Sequence, residues 1–420
     1  MADPSPGAPA TDPSRATSPL AGLRILAFEQ MLSMPYATQL LALLGADVVK
    51  VEPLRGEGGR QGQPSITVDG DVLGATFMRG NLSKRSIAID LKKSEGHDLA
   101  LRLVRNFDVV TENMRPGVLD SLGLGYEQLR AVKADVILVS LTGFGNYGDS
   151  PYRSWPAYAP VVDATAGWYE MEREPDAPPP IGSLGALGDV AGGLFAVIGT
   201  LAAFVGRERT GQGDHVDVAM ADASLALNDA APLMWSMGKS SQGGGTGIIA
   251  GFRADDGYFA VTVIRPFMFE RFATVIGRPE WTEHPLLASR AGWADHVDDI
   301  IRPVVEEWAK GKTKLEAARL LAAAGVAAAP SNDAADIVTD PHYRRRGMLI
   351  DTGKIGHEGR PLLVAGVPMQ FKRGGYPSVR KWPEAGEHSI ALLEAELGLS
   401  ADEVADLVKH EVVADGRSRR

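Results

Sequence analysis
A lone carboxylate inside a run of small residues is where this chain is best placed to do chemistry. Asp189 lies among Gly182, Gly185, Gly188, Gly192 and Gly193, just where a long apolar stretch begins. Glycines carry no Cβ, so a backbone or a ligand can come close to that carboxylate. The uncharged run Leu194–Phe204 reads as a buried helix, which puts Asp189 at or just before a helix N-terminus. There the unpaired N–H groups and the helix dipole favour the ionised form. Such a carboxylate can be a nucleophile or an ordinary helix cap, and this segment alone leaves both readings open.

Composition narrows the chemistry. The chain has no cysteine, which removes a thiolate nucleophile, a disulfide framework and Cys-ligated metal, and fits a reducing cytoplasm. Its eight histidines form no HExxH motif and no i, i+4 pair, so no metal site is expected. Catalysis is left to carboxylates, backbone amides and bound substrate. A net charge of −10 argues against a general nucleic-acid or acidic-membrane binder. Arg207 and Glu208 end the longest apolar run short of the roughly 18–20 residues a bilayer span needs, so no membrane association is expected. Residues 1–19 lack the apolar core of a secretory signal and read as a disordered tail.

The elements that must position Asp189 follow from periodicity. LRILAFE (Leu23–Glu29), DVVKVE (Asp47–Glu52), SIAIDL, DVVTEN (Asp108–Asn113) and DVILVSLTGF (Asp135–Phe144) read as strands. Helical segments separate them at Tyr36–Leu44, EGHDLALRLVRN and Tyr126–Lys133. This alternation predicts an α/β fold with a doubly wound, Rossmann-like parallel sheet, whose ligands bind beyond the carboxyl ends of the strands. The loops there are Glu52–Arg60, Asn113–Pro116 and Thr142–Gly145. Residues 20–232 are assigned to the first part of this large domain and 233–250 to a Gly/Ser-rich linker and loop. Residues 251–329 are assigned to a small α+β domain that opens with a hairpin turning at Asp255-Asp256-Gly257. Residues 330–420 are assigned to a linker and a return to the large domain.

The motifs, in order, resemble family III CoA-transferases of the CaiB/BaiF type, a superfamily that also holds α-methylacyl-CoA racemases. The resemblance rests on GLRILAF…PYATQLLALLGADVVKVEP, NLSKRSIAIDLK, DVVTENMRPGVLDSLGLGYEQL, LGALGDVAGG…GRERTGQGDHVDVAMADA, DPHYRRRGML, GVPMQF and GEHS, from about Leu20 to Val413. It implies that Asp189 is the nucleophile that takes the acyl group of an acyl-CoA and then carries CoA as a thioester until a carboxylic acid collects it. It also implies an interlocked homodimer and CoA as substrate, with no tightly bound cofactor. Tyr158 and the glycine-rich loop with Gly243, Gly244 and Gly245 are expected at the substrate, with the amides after Asp189 as donors to the oxyanion. Arg55, Arg60, Lys84, Arg85, Asn113, Arg115, Gly143 and Phe144 are expected to hold CoA. Glu52, His215 and Asp217 are read as structural.

Two departures bear on the reaction. The racemases use a His-Asp pair upstream of the aspartate, and here Tyr158 and Ala159 stand at those positions, with no histidine between His97 and His215. Racemisation by that mechanism is therefore disfavoured; it and CoA binding without turnover are the alternatives to transfer. Oxalate-type transferases carry a Glu where Ala159 stands and a Gln where Leu32 stands. A larger or less polar acid than oxalate or formate is expected as acceptor.

Overall fold
The structure, a computed structural model, describes residues 17–68, 70–171, 173–174, 176–239 and 247–416. Two compact units emerge, one within 1–239 and 346–420 and the other within 240–345. Most of the expected tail, up to residue 16, lies outside the described residues. Ser18, within the expected tail, is buried against Gly45.

The larger unit is built on a seven-stranded sheet. Its strands are β1 (Arg24–Phe28), β2 (Asp47–Glu52), β3 (Arg85–Ile89), β4 (Val109–Glu112), β5 (Ile137–Thr142), β6 (His215–Ala219) and β7 (Val413–Ala414). Their spatial order is β7-β3-β2-β1-β4-β5-β6, with every pairing parallel except that of the edge strand β7 with β3. This is the doubly wound 3-2-1-4-5-6 arrangement, whose order reverses between β1 and β4. Alternate side chains of the buried strands feed two cores. Leu26, Val49, Val110 and Leu138 meet Leu99, Leu103, Leu129 and, from the chain's end, Leu392 and Val404. Ile25, Val48, Val109 and Val139 meet Met34, Ala37, Leu41 and Ala196 on the other face. Both ends of the chain thus build one domain.

Four helices matter for the site: α1 (Ser33–Leu43), α2 (Ala159–Thr165), α3 (Leu187–Thr210) and α4 (Met220–Leu227). Helix α3 starts well before the apolar run at Leu194, because its first two turns are made of the small residues around Asp189. Those glycines are packing residues. A Cβ on Gly188 would lie 2.4 Å from a Val162 methyl in α2. One on Gly192 would lie 3.0 Å from Leu141 and Met220, and one on Gly193 2.8 Å from the Ser33 carbonyl oxygen in α1. At Gly188 and Gly193 these distances fall under 3 Å and are not met without movement, so Gly at those positions lets α3 enter at this depth.

The far face of α3 corrects the expectation of a fully buried helix. Leu194, Ile198 and Val205 are 40%, 58% and 57% exposed. With 24 residues, α3 is also long and apolar enough to cross a bilayer by length and composition, against the expectation that Arg207 and Glu208 keep it too short. Core helices of soluble proteins satisfy the same criterion. Arg207 is buried at its end, where its guanidinium donates to Asp108 Oδ1 at 2.9 Å.

In the smaller unit, Ile248–Ala254 and Gly257–Val263 form the hairpin, and Ala327–Pro330 adds a third antiparallel strand. The unit continues beyond residue 329 through the helices Ala334–Thr339 and Pro341–Arg345. They stay with it because Asp336 is ion-paired to Lys314, whose ammonium also donates to the Ser331 carbonyl at 3.2 Å. The smaller unit thus extends to residue 345, past the expected bound at 329.

The glycines of α3 give a prediction of opposite signs in one helix. Gly193→Ala should destabilise the protein by about 1–3 kcal/mol, since its methyl meets backbone that cannot swing away. Gly206→Ala, with nothing within 4 Å of its Cβ position, should stabilise it by about 0.5–1 kcal/mol through helix propensity. Urea denaturation of the two variants checks both.

Candidate active site
The reversal of strand order leaves a crevice past the carboxyl ends of β1 and β4, and the candidate site lies there. A cavity of about 230 Å³ is lined by Gln30, Met31 and Ser33 after β1 and by Asn113–Pro116 after β4. Leu141 and Thr142 at the end of β5, Gly143 after it, Arg153 and Trp155–Tyr158, Met220, and Asp189 from α3 close it. Asp189 is the one acidic residue among these lining residues, and no histidine is among them.

Asp189 occupies the third position of α3, with Ala186 as N-cap, and its side chain makes no cap hydrogen bond. The cap reading is thus excluded. Burial pushes its carboxyl up to about 6; the Arg79 guanidinium pulls the other way, and the Asp163 carboxylate adds to the rise. Desolvation outweighs the positive end of the helix here, so the carboxyl is raised although it stays mostly ionised at neutral pH. Asp163 itself is fully buried and accepts from the Ser224 hydroxyl at 2.7 Å and the Gly188 N–H at 3.3 Å, tying α2 and α4 to the first turn of α3. The Val190 N–H bonds the Ala186 carbonyl at 3.0 Å, so this amide after Asp189 is spent within the helix rather than offered to an oxyanion.

Of the residues expected at CoA or substrate, Tyr158, Asn113, Arg115 and Gly143 line the Asp189 cavity. Asn113 is chiefly a tie between loops. Its Oδ1 accepts from the Gln30 N–H at 2.9 Å and its Nδ2 donates to the Gln30 carbonyl at 2.8 Å. Phe144 stands behind the wall, its ring edge-on to Tyr152 and to Trp155, which does line the cavity. Arg115 and Arg153 also border a second cavity of about 580 Å³, with Glu112, Ser140, Tyr147 and His215.

Three of the expected cations are turned inward instead. Lys84 is 2% exposed and donates to Glu29 Oε1 at 2.6 Å, Asn81 Oδ1 at 3.0 Å and the Pro35 carbonyl at 3.0 Å. Burial brings its ammonium down to about 8 although Glu29 opposes this. Arg85 is forked onto Asp47, at 3.1 and 2.5 Å. Arg60 is forked onto Glu52, at 2.8 and 2.6 Å, over the Phe77 ring. Their charges are paired within the fold and none of the three lines the Asp189 cavity, so the structure lends no support to the expected CoA contacts of Lys84, Arg85 and Arg60. Arg55 is exposed at a separate cavity of about 590 Å³ that also borders Arg60, away from the residues lining the Asp189 cavity. Gly243, Gly244 and Gly245 lie outside the described residues.

Residues read as structural fill such roles. Glu52 accepts from Arg60, the Ser86 hydroxyl (2.7 Å) and the Glu57 N–H (3.2 Å). Asp217 accepts from the Asn146 and Tyr147 N–H groups at 2.7 and 2.9 Å, and His215 Nδ1 lies 2.5 Å from the Tyr147 hydroxyl. Sequence reasoning missed Met31, Arg153, Trp155 and Met220 as lining residues. The segment PYRSWPAY, just past β5 and rich in aromatic and proline residues, was the available signal for two of them. No group of three or more His, Asp or Glu suited to a metal ion occurs among the described residues.

Comparison with known proteins fits this geometry. The family model for CoA-transferase family III matches residues 20–389. The chain is 30% identical over 415 residues to the succinyl-CoA–L-malate CoA-transferase beta subunit of Chloroflexus aurantiacus, covering 96% of this chain and all of that protein. It is 32% identical to the acetyl-CoA:oxalate CoA-transferase of Acetobacter aceti, covering 92% of this chain and 99% of that one. A solved CaiB/BaiF family protein from Brucella suis superposes with a TM-score of 0.79 at 32% identity, over 90% of this chain and 100% of that one. With its sheet, crevice and aspartate in place, the chain belongs to CoA-transferase family III and is an enzyme of CoA transfer between carboxylic acids.

Proposed function
We propose that Asp189 is the nucleophile that transfers CoA from an acyl-CoA donor to a carboxylic acid acceptor. The observation that carries this reading is its position as the one acidic lining residue of the cavity at the strand-order reversal. An Asp189 oxygen attacks the donor thioester carbonyl; a C–O bond forms, the C–S bond breaks, and CoA leaves as thiolate. The thiolate attacks the aspartyl carbonyl of the resulting anhydride, expels the donor carboxylate and leaves an aspartyl-CoA thioester. The acceptor carboxylate then displaces the thiolate to give a second anhydride. Thiolate attack on the acceptor carbonyl forms the new acyl-CoA and restores Asp189. Each step exchanges one acyl bond for another, which divides a hard transfer into easier ones.

Arg115 and Arg153 supply positive charge at the rim for the phosphates of CoA or the acceptor carboxylate, and Arg55 remains a candidate phosphate contact. Met31, Leu141, Trp155 and Met220 give the cavity apolar walls. Leu32 and Ala159, at the positions where oxalate-type enzymes carry polar residues, are buried. The apolar walls support an acceptor with more apolar bulk than oxalate. Proton exchange at the α-carbon lacks support, because Tyr158 and Ala159 replace the acid–base pair and no histidine lines the cavity. The exposed apolar face of α3 supports a homodimer in which a second copy covers it, and a chain without cysteine fits the reducing cytoplasm.

A screen of acyl-CoA donors against carboxylic acids in deuterated water tests the reaction class. CoA exchange without α-deuteration is expected; α-deuteration without an acceptor would instead identify a racemase. Asp189→Ala should lower transfer by more than about 10³-fold while CoA binding and the circular dichroism spectrum are kept.

The raised carboxyl of Asp189 sets two pH dependences. The nucleophile must be ionised, so kcat/KM should fall with decreasing pH as one proton adds near pH 6. Its folded pKa lies above the ordinary Asp value of about 3.9, so the native state binds the extra proton between the two values. Stability contributed by this group therefore falls as pH rises from about 4 to 6 and stays lower above. Asp189→Asn should raise the Tm at pH 7.5 and lose that advantage at pH 4, in parallel thermal melts.

A further inference from the structure
The loop after β1 is held in an unusual backbone state. Met31 has φ of 62°, in the left-handed region that an unbranched, bulky residue rarely adopts. It lines the Asp189 cavity between Gln30 and Ser33. Successive main-chain groups leading into it are each held by a side chain from elsewhere. Lys50 Nζ donates to the Glu29 carbonyl at 3.1 Å, and Asn113 pairs both the N–H and the carbonyl of Gln30. The Met31 N–H donates to Glu57 Oε2 at 3.1 Å. Glu57 is itself buried, accepts from the Gly59 N–H at 2.7 Å, and places Oε1 3.5 Å from the Lys50 ammonium.

We infer that Glu57 is a positioning residue for CoA transfer, acting through the Met31 backbone to set the wall of the cavity that faces Asp189. Strain at a non-glycine residue persists only where surrounding contacts over-determine it, and Glu57 supplies the contact at the strained residue itself. Released from that contact, Met31 relaxes toward an ordinary φ and carries the Gln30–Ser33 wall away from its working position. Misplacement of a positioning group by about 1 Å costs up to about 100-fold in rate. This inference rests on the reading of Asp189 as the nucleophile.

Two substitutions separate reach from charge. Glu57→Gln keeps an oxygen at the length needed to accept from the Met31 N–H but removes the charge, while Lys50 keeps Glu29 as counter-ion at 3.7 Å. Glu57→Asp keeps the charge and remains a good acceptor for the local turn at Gly59, but is one methylene too short for Met31. Expected results are a kcat for Glu57→Asp lowered by roughly 10- to 100-fold with KM for the acyl-CoA little changed, and near-normal kcat for Glu57→Gln. In a Met31→Gly background, where a positive φ costs nothing, the loss caused by Glu57→Asp should shrink. The opposite ranking, with Gln inactive and Asp active, or equal Glu57→Asp losses in both backgrounds, would overturn the positioning role. Asp189→Ala, assayed alongside, separates the failures: if it still transfers CoA the nucleophile reading falls, whereas an inert Asp189→Ala with additive Glu57 and Met31 effects overturns the positioning role alone.

Discussion
The close entry of α3 against α1, α2 and β5 is the constraint from which the site follows. Three glycines within six residues face three different neighbours: Gly188 meets Val162, Gly192 meets Leu141, and Gly193 meets the Ser33 carbonyl. A side chain at Gly188 or Gly193 would force the helix start or its neighbour to move, and one at Gly192 would crowd Leu141 and Met220. At this depth the carboxylate stands beside the crevice between β1 and β4, where the sheet topology already leaves room for a ligand. Packing chosen for one purpose, bringing a helix close, therefore also decides which functional group meets the substrate.

That depth has an electrostatic consequence. Desolvation, opposed by the Arg79 guanidinium and aided by the buried Asp163 carboxylate that ties down the helix start, leaves the Asp189 carboxyl raised to about 6. A carboxylate of this basicity is a better nucleophile than an exposed aspartate yet remains mostly ionised at neutral pH. Nearby, the ionic groups of Glu29, Lys50, Glu57 and Lys84 neutralise one another inside the fold and bond the backbone of the loop after β1. Burial alone would raise Glu29, but the ammonium groups of Lys84 and Lys50 hold it below the ordinary carboxylate range. Such buried pairs add little net stability but are costly to break singly, which suits them to fixing a loop.

The sheet was legible because its strands are short apolar runs between turn signals; DVVKVE is a strand over the same residues in sequence and structure, Asp47–Glu52. The start of α3 was not, since glycines carry no apolar signal and the first two turns look like a loop. Asp189 was visible as a candidate, while its chemistry came from the order of motifs around it. The basic residues were the least legible part. A sequence shows that Lys84, Arg85 and Arg60 are charged but not that Glu29, Asp47 and Glu52 lie against them, because the partners are separated in sequence by 55, 38 and 8 residues. The left-handed Met31 has no sequence signal, as methionine carries no preference for that conformation.

The central claim is that Asp189 becomes covalently activated during transfer. Incubating the enzyme with an acyl-CoA donor and hydroxylamine, without acceptor, and then mapping peptides by mass spectrometry reads this directly. An aspartyl anhydride or thioester would be intercepted to leave a hydroxamate on the peptide bearing Asp189, dependent on acyl-CoA. Full transfer activity with that peptide unmodified, or a hydroxamate on another residue in its place, would contradict the account.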